Sequence, residues 1–110
     1  MPVQIYISEQ TVTACLSGEL DHHCARALRE EIDTAAQRVR PEELILDFRD
    51  ITFMDSSGIG LVMGRYQLMQ ELGGEVHITG LSLQMGRVMR LAGLDRLVSI
   101  EKEVKKHEKA

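Results

Sequence analysis

The apolar positions of the chain change their period several times and so divide it into short and long segments. The stretch VQIYIS at 3–8 and the stretch TVTACLSG at 11–18 alternate apolar and polar residues, as half-buried strands do. Only two residues separate these stretches, which is the length of a tight hairpin connection. The pattern therefore predicts an antiparallel hairpin at the start of the chain.

A helical period replaces this alternation over about 22–38. The apolar side chains that recur at three- and four-residue steps form one stripe: Ala25, Leu28, Ile32, Ala35, Ala36 and Val39. Asp21 directly precedes the segment, and a carboxylate there can accept hydrogen bonds from the first N–H groups of a helix. Pro41 follows the segment and cannot continue a helix. We therefore expect a helix that Asp21 caps.

The rest of the chain alternates strands with helices. Short apolar runs at 43–48, 75–80 and 96–100 predict strands, and helical periods at about 57–72 and 82–92 predict two more helices. Strands separated by helices require right-handed crossovers and therefore a mainly parallel sheet. The fold class is α/β: a mixed, mainly parallel sheet of about five strands, with the hairpin as an antiparallel edge.

Composition fits one small domain. The chain has 110 residues, of which 44% are hydrophobic and 27% charged, as in globular proteins. It has no Trp and six Met, so we expect an aliphatic, methionine-rich core. We place the domain at 1–100 and interpret 101–110, EKEVKKHEKA, as a charged tail that solvent surrounds.

Charge and hydropathy narrow the classes of partner. A formal net charge of −4 argues against binding to nucleic acid, which requires a basic face. No apolar run approaches the roughly 20 residues that span a bilayer, and the first residues do not resemble a signal peptide. We therefore expect a cytoplasmic protein that binds neither nucleic acid nor membrane.

Two cysteines give little evidence for a metal or a disulfide framework. Cys15 and Cys24 are expected to be reduced, because a secreted domain of this size often carries more cysteines. His22 and His23 stand beside Cys24, but their spacing matches no standard zinc ligand pattern. We expect neither a metal nor a cofactor.

The stretch DFRDITFMDSSGIGLVMGRY at 47–66 contains the candidate chemistry. Asp55, Ser56 and Ser57 stand together where a strand is expected to give way to a helix. These residues can cap the helix, and Ser56 can be a nucleophile with His22 or His23 as its base. It can also accept a phosphoryl group, because the N-terminus of a helix favours an anion.

The three interpretations differ in how much they explain. One capping residue suffices, so capping leaves two of the three polar side chains unexplained. The stretch does not contain the G-x-S-x-G motif of a nucleophile elbow, and no oxyanion loop is evident. A phosphoryl group would add about −1.5 to −2 charges at neutral pH and could repel a docked partner while the fold survives. All three interpretations remain open from the residues alone.

Several neighbouring residues are candidates for contact with a partner. The loop SGELDHH carries Glu19 and Asp21, and it can lie near Ser56 if the second and third strands are adjacent. The apolar arc of the second helix is wider than one sheet face covers. Either a neighbouring helix covers Ile59 and Met63, or these side chains are partly exposed and Ile59 is a candidate docking residue.

Two glycines and a cation on the second helix complete this set. Gly58 and Gly60 lack side chains and could leave room for a partner's backbone. Arg65 lies two turns beyond the serines, and we interpret it as a surface cation or as a cation that pairs with a partner.

Three stretches together carry a family resemblance: LSGELDHHCA, LILDFRDITFMDSSGIGLVMGRY and GGEVHITGLSLQMGRVMRLAGLDRLV. They resemble the bacterial anti-sigma-factor antagonists, which belong to the STAS domain family, over about 3–100. Within that family they are most similar to the sporulation antagonists of anti-sigma F factor. The resemblance implies a single STAS domain, a small mixed sheet with helices mostly on one side.

The resemblance also implies a function without catalysis. The dephosphorylated protein would bind an anti-sigma factor that is also a serine kinase, and so release sigma factor F. With ATP bound, that kinase would phosphorylate the serine directly after the motif aspartate, which here is Ser56, and a metal-dependent serine phosphatase would reverse the modification. Ser57 would be the neighbouring motif hydroxyl, and Asp21 would lie close to the acceptor on the partner surface.

An alternative stays open within the same family. General-stress antagonists share most of these motifs, so the chain could be a protein-interaction module of that or another partner-switching pathway. In that alternative the same surface would bind another protein and need not be phosphorylated. In neither case do we expect the chain to be an enzyme.

Overall fold

The alternating segments at the start of the chain pair as the predicted hairpin in the computed structural model, which describes residues 3–101. Strand β1 (Val3–Ser8) runs antiparallel to strand β2 (Thr11–Leu20). The connection places Glu9 in the left-handed region, with a φ of 50°. The predicted tail lies outside the described residues except for Glu101.

Helices and strands then alternate. The elements after the hairpin are α1 (His22–Val39), β3 (Glu43–Met54), α2 (Ser56–Leu72), β4 (Glu75–Thr79), α3 (Leu83–Leu91) and β5 (Ser99–Ile100). The sheet has the order β1-β2-β3-β4-β5, and all pairs except β1–β2 are parallel. The predicted α/β class and the antiparallel edge are therefore confirmed.

One face of the sheet forms the core with the helices. Along β2 the side chains of Val12, Ala14 and Leu16 are buried, whereas the intervening ones are only partly buried. Helix α1 covers β2 with Leu28 and Ile32, both of which are buried. Helix α2 packs against α1 and β4. Burial of apolar area on this one face is the main source of stability.

The ends of the helices follow local rules. Helix α1 ends at Arg40 in the left-handed region, directly before Pro41. Helix α2 ends at Gly73, which has a φ of 81° and donates its N–H toward Gln70 and Met69. A left-handed residue closes many helices because its N–H can reach the last free carbonyls, and glycine adopts this conformation without strain.

Strand β3 is longer than the predicted strand at 43–48. It continues to Met54, because its second half pairs with the end of β2 beyond the point where β4 stops. The register between β2 and β3 shifts twice, between Cys15 and Ser17 and between Gly18 and Glu19. Such bulges break the alternation of apolar and polar residues, so the extension carries no regular strand pattern.

The last strand is shorter than the predicted strand at 96–100. A 3-10 helix at Leu94–Arg96 takes the first part of that segment. Both Leu94 and Val98 are buried, and the N–H of Val98 donates to the carbonyl of Leu94 at 2.9 Å. The four-residue spacing of these side chains suits a helical turn better than a strand.

Candidate functional site

Strands β2 and β3 end side by side. This brings the loop that carries Asp21 next to the junction of Asp55 and Ser56. Leu20 of β2 and Met54 of β3 are partners in the sheet register. The N–H of Asp55 donates to the carbonyl of Leu20 at 3.2 Å. Asp21 is the residue after Leu20, and Ser56 is the residue after Asp55. The predicted proximity of the SGELDHH loop to Ser56 is therefore what the backbone shows.

The two aspartates cap the two helices in the same way. Asp21 accepts hydrogen bonds from the backbone N–H groups of His23 and Cys24, each at 3.0 Å. Asp55 accepts one from the N–H of Ser57 at 2.7 Å. The predicted cap by Asp21 is confirmed, and of the residues that could cap the second helix it is Asp55 that does so. Both carboxylates therefore satisfy backbone N–H groups that have no partner within the helix.

The charge of Asp21 is stabilised by these contacts. The hydrogen bond from the Cys24 N–H is the main cause that lowers the pKa of Asp21 below its ordinary value of 3.8. The thiol of Cys24 also donates to this carboxylate, and that hydrogen bond raises the pKa of Cys24. Asp21 is therefore an anion and Cys24 a neutral thiol at neutral pH.

The two serines have different surroundings. Ser56 is the first residue of α2 and is exposed, whereas Ser57 is partly buried and its N–H is bound to the Asp55 cap. Within residues 3–101, no hydrogen bond joins Ser56 to either His22 or His23, which contact each other at 5.7 Å between ring centroids. The site therefore presents a free hydroxyl on an acidic surface, without a positioned base.

The two glycines of the motif differ, and one prediction about them is wrong. Gly58 is buried, and a Cβ added there would collide with the side chain of Met54 and come within 3.3 Å of Leu20. It lets α2 approach the sheet and does not leave room for a partner. Gly60 is exposed, with nothing within 4 Å of an added Cβ. Ile59 between them is partly buried against the core.

Arg65 is not the surface cation that we expected. It is only 4% exposed, and its Nε lies 2.7 Å from Oδ1 of Asp33 on α1. Its Nη2 donates to Oδ2 of the same carboxylate at 3.3 Å, and its Nη1 donates to the carbonyl of Leu61 at 3.2 Å. Burial lowers the pKa of Arg65, and the charge of Asp33 opposes that shift. Arg65 therefore fixes α2 against α1.

The extension of β3 adds a feature that the sequence did not predict. Phe53 is 50% exposed and stands three residues before Ser56. It borders a groove of about 820 Å³ between β3 and α3, to which Leu83 and Val88 also contribute exposed apolar surface. The apolar residues Ile51 and Phe53 are two positions apart, which in a regular strand would place both side chains on the same face. The register shift between them leaves Ile51 buried and Phe53 exposed.

Two structural findings bear on cofactors and membranes. In the described part of the chain, no three side chains of His, Cys, Asp or Glu are grouped so that they could hold a metal ion. None of the helices within 3–101 has both the length and the apolar character that crossing a bilayer requires.

Comparison with known proteins now gives these features a context. Residues 2–107 match the family model described as STAS domain. An anti-sigma F factor antagonist of Paenibacillus polymyxa is 39% identical over 85 residues, which cover 77% of this chain and 73% of that protein. An anti-sigma-B factor antagonist of Bacillus subtilis (strain 168) is 26% identical over 98 residues, which cover 89% and 88% of the two chains.

Solved structures agree with this relationship. The unphosphorylated form of the anti-sigma factor antagonist SpoIIAA has a TM-score of 0.77 at 32% identity, covering 92% of this chain and 89% of that chain. The phosphorylated form of the Bacillus cell fate determinant SpoIIAA has a TM-score of 0.71 at 33% identity, covering 92% of each chain. Together these relatives support the role of an anti-sigma factor antagonist, a regulatory binding protein.

Proposed function

The chain belongs to the STAS domain family, and on that premise we propose that it is a switch protein whose unphosphorylated form binds an anti-sigma factor. That partner is also a serine kinase with bound ATP, and its capture releases sigma factor F. The proposal rests on one observation above all: Ser56 is exposed at the N-terminus of α2, directly after the capping residue Asp55 and beside the strand end that leads into the capping residue Asp21.

Phosphorylation of Ser56 switches this binding off. In that step the Oγ of Ser56 forms a bond to the γ-phosphorus of ATP, the bond to ADP breaks, and a base of the kinase takes the hydroxyl proton. The product adds about −1.5 to −2 charges beside Asp21 and Asp55. The N-terminus of α2 tolerates the added anion, so the fold persists while a docked acidic or apolar group is repelled. A metal-dependent serine phosphatase restores the free hydroxyl.

The docking surface combines the acidic loops with the start of α2. Its proposed members are the exposed or partly buried residues around the acceptor: Glu19, Asp21, Asp55, Ser57, Ile59 and Gly60. Gly58 and Arg65 support this surface from inside, since both are buried.

Binding of two Ser56 variants to the anti-sigma F kinase tests this proposal. Ser56→Ala should bind as the parent does, and Ser56→Asp should bind at least about tenfold more weakly, because it places a charge beside two carboxylates. Ser8→Asp is the matched control, because it makes the same change at an exposed serine at the opposite end of the sheet, and it should bind as the parent does. Equal affinity of Ser56→Asp and the parent would contradict electrostatic repulsion as the mechanism.

A second candidate is a role in the general stress response. It is favoured by the similarity to the anti-sigma-B factor antagonist, which extends over 88% of that relative. Titration of the chain with purified anti-sigma F and anti-sigma B kinases separates the two. Tighter binding to the anti-sigma B kinase would mean that the chain acts in the general stress response, through the same phosphorylation switch.

A further inference from the structure

The outer edge of β1 is a part of the sheet that the proposed switch does not use. This strand is first in the sheet order and pairs with β2 alone among the described strands. Natural edge strands are usually protected by charged residues, proline or a bulge. The stretch VQIYIS contains none of these, and its register with β2 has no shift. It is therefore open to pairing with another strand.

A groove accompanies this edge on the helical face of the sheet. It has a volume of about 540 Å³ and lies between β1 and α1. Its floor includes Ile5 and Ile7, and its wall includes Ala27 and Ala35. Ile7 is 56% exposed, which leaves apolar surface directly beside the unpaired backbone. Burial of such surface stabilises a pairing that backbone hydrogen bonds alone would make only weakly.

Opposite charges stand at separate places along the same wall. Glu31 and Arg38 both line the groove, seven residues apart on α1. Neither forms an ion pair with any other residue of 3–101. If two copies of α1 lie antiparallel, the acid of each helix can face the base of the other.

The topology aligns these features for two-fold symmetry. Strand β1 runs opposite to β2, and α1 also returns opposite to β2 because it connects the parallel strands β2 and β3. A two-fold axis normal to the sheet at the edge of β1 therefore pairs β1 antiparallel with its copy. The same axis sets the two α1 helices antiparallel, with Arg38 of each protomer toward Glu31 of the other.

We propose that the edge of β1 and the neighbouring groove bind a second copy of the chain. The resulting two-fold dimer has one continuous sheet, to which each protomer contributes five strands. The unpaired backbone groups of each β1 edge form hydrogen bonds with those of the other copy, so no β1 edge is left for a third copy. The groove lies away from the ends of β2 and β3 that carry Ser56, so the proposal does not depend on the proposed function. Each protomer keeps its acceptor surface open.

Sedimentation velocity of the full chain tests the dimer. The parent should pass from monomer to dimer as its concentration rises from about 1 to about 500 µM. Ile7→Lys should raise the dimer Kd at least about tenfold, since it puts a desolvated charge at the new strand pair. Ile7 is exposed in the monomer, so this variant should keep the circular dichroism of the parent. Arg87→Glu, an exposed change on α3, is the control that should leave the Kd unaltered.

A charge swap gives a second and independent test. Glu31→Arg and Arg38→Glu should each weaken the dimer at least about fivefold, because each places like charges across the axis. The double variant restores both opposite-charge pairs and should return the Kd to within about threefold of the parent. Only reciprocal contact between these two positions predicts that recovery.

Several results would overturn the proposal. They are a monomer at every concentration, a dimer that Ile7→Lys leaves unchanged, a charge swap without recovery, and growth beyond two copies. Zero-length cross-links between residues 102–110 and Glu31 within a monomer would also overturn it, by showing that the chain's own tail occupies the groove.

Discussion

Asp21 and Asp55 each serve two purposes at the scale of single residues. Their carboxylates satisfy the first N–H groups of α1 and α2, and both aspartates lie at the adjoining strand ends that carry the exposed Ser56. Their use as caps explains why the acids are ordered next to the acceptor. A phosphate on Ser56 therefore meets fixed negative charge and not mobile side chains that could turn away.

The lowered pKa of Asp21 predicts a particular dependence of stability on pH. The folded pKa lies below the ordinary value of 3.8, so the unfolded chain binds more protons between the two values. The contribution of Asp21 to the free energy of unfolding is therefore full above about pH 4 and is lost as the pH falls through the folded pKa. Urea unfolding at several pH values measures it.

The variant Asp21→Asn isolates this effect. It keeps a side-chain acceptor for the helix cap but cannot ionise. The stability difference between the parent and this variant should be largest near neutral pH and should shrink toward pH 3. A difference that stays constant from pH 7 to pH 3 would show that the charge of Asp21 contributes nothing.

Local rules explain why these residues were predictable and Arg65 was not. An aspartate directly before a helical period is a cap by virtue of its neighbours in the sequence. The burial of Arg65 depends on Asp33, which lies on a different helix and becomes its neighbour only when α1 and α2 pack. The sequence of α2 alone therefore cannot indicate that Arg65 pairs with Asp33.

At the scale of elements, the pair between Arg65 and Asp33 joins the two helices that cover the sheet. The side chain of Arg65 is 5% exposed and that of Asp33 is 28% exposed, so one end of the pair is desolvated. Removing one partner of such a pair leaves a buried charge without compensation. We expect Asp33→Ala to lower the free energy of unfolding by about 3 kcal/mol.

An exposed pair on the same helix provides the comparison. Arg26 and Glu30 are 3.4 Å apart with side chains that are 77% and 63% exposed. Glu30→Ala should change the free energy of unfolding by no more than about 0.5 kcal/mol. Denaturant unfolding of both variants gives the two values. Equal losses would contradict the structural role that the burial of Arg65 indicates.

The elements themselves were predictable to different degrees for the same physical reason. Helix α1 shows its period because one face is buried along its whole length. The second half of β3 does not, because it pairs with β2 on one side only and contains register shifts. The part of the site that rests on this extension, including the exposed Phe53, therefore required the structure.

At the scale of the whole molecule, the proposed switch and the proposed dimer edge occupy separate regions. Ser56 lies where β2 and β3 end, and β1 is the outermost strand on one side of the sheet. The two should act independently, since they share no residue. Ile7→Lys should therefore leave the rate of phosphorylation by the partner kinase within about twofold of the parent. A larger change, measured by radiolabel incorporation at fixed kinase, would show that the regions are coupled.

Phosphopeptide mapping of the full chain determines directly whether Ser56 is the acceptor. The full chain is incubated with the anti-sigma F kinase and ATP, digested, and the modified serine is located by mass spectrometry. We expect one phosphate on Ser56 and none on the Ser56→Ala variant. Phosphate on Ser57 with Ser56 unmodified, or no phosphate on either serine while the kinase modifies an established substrate, would contradict it.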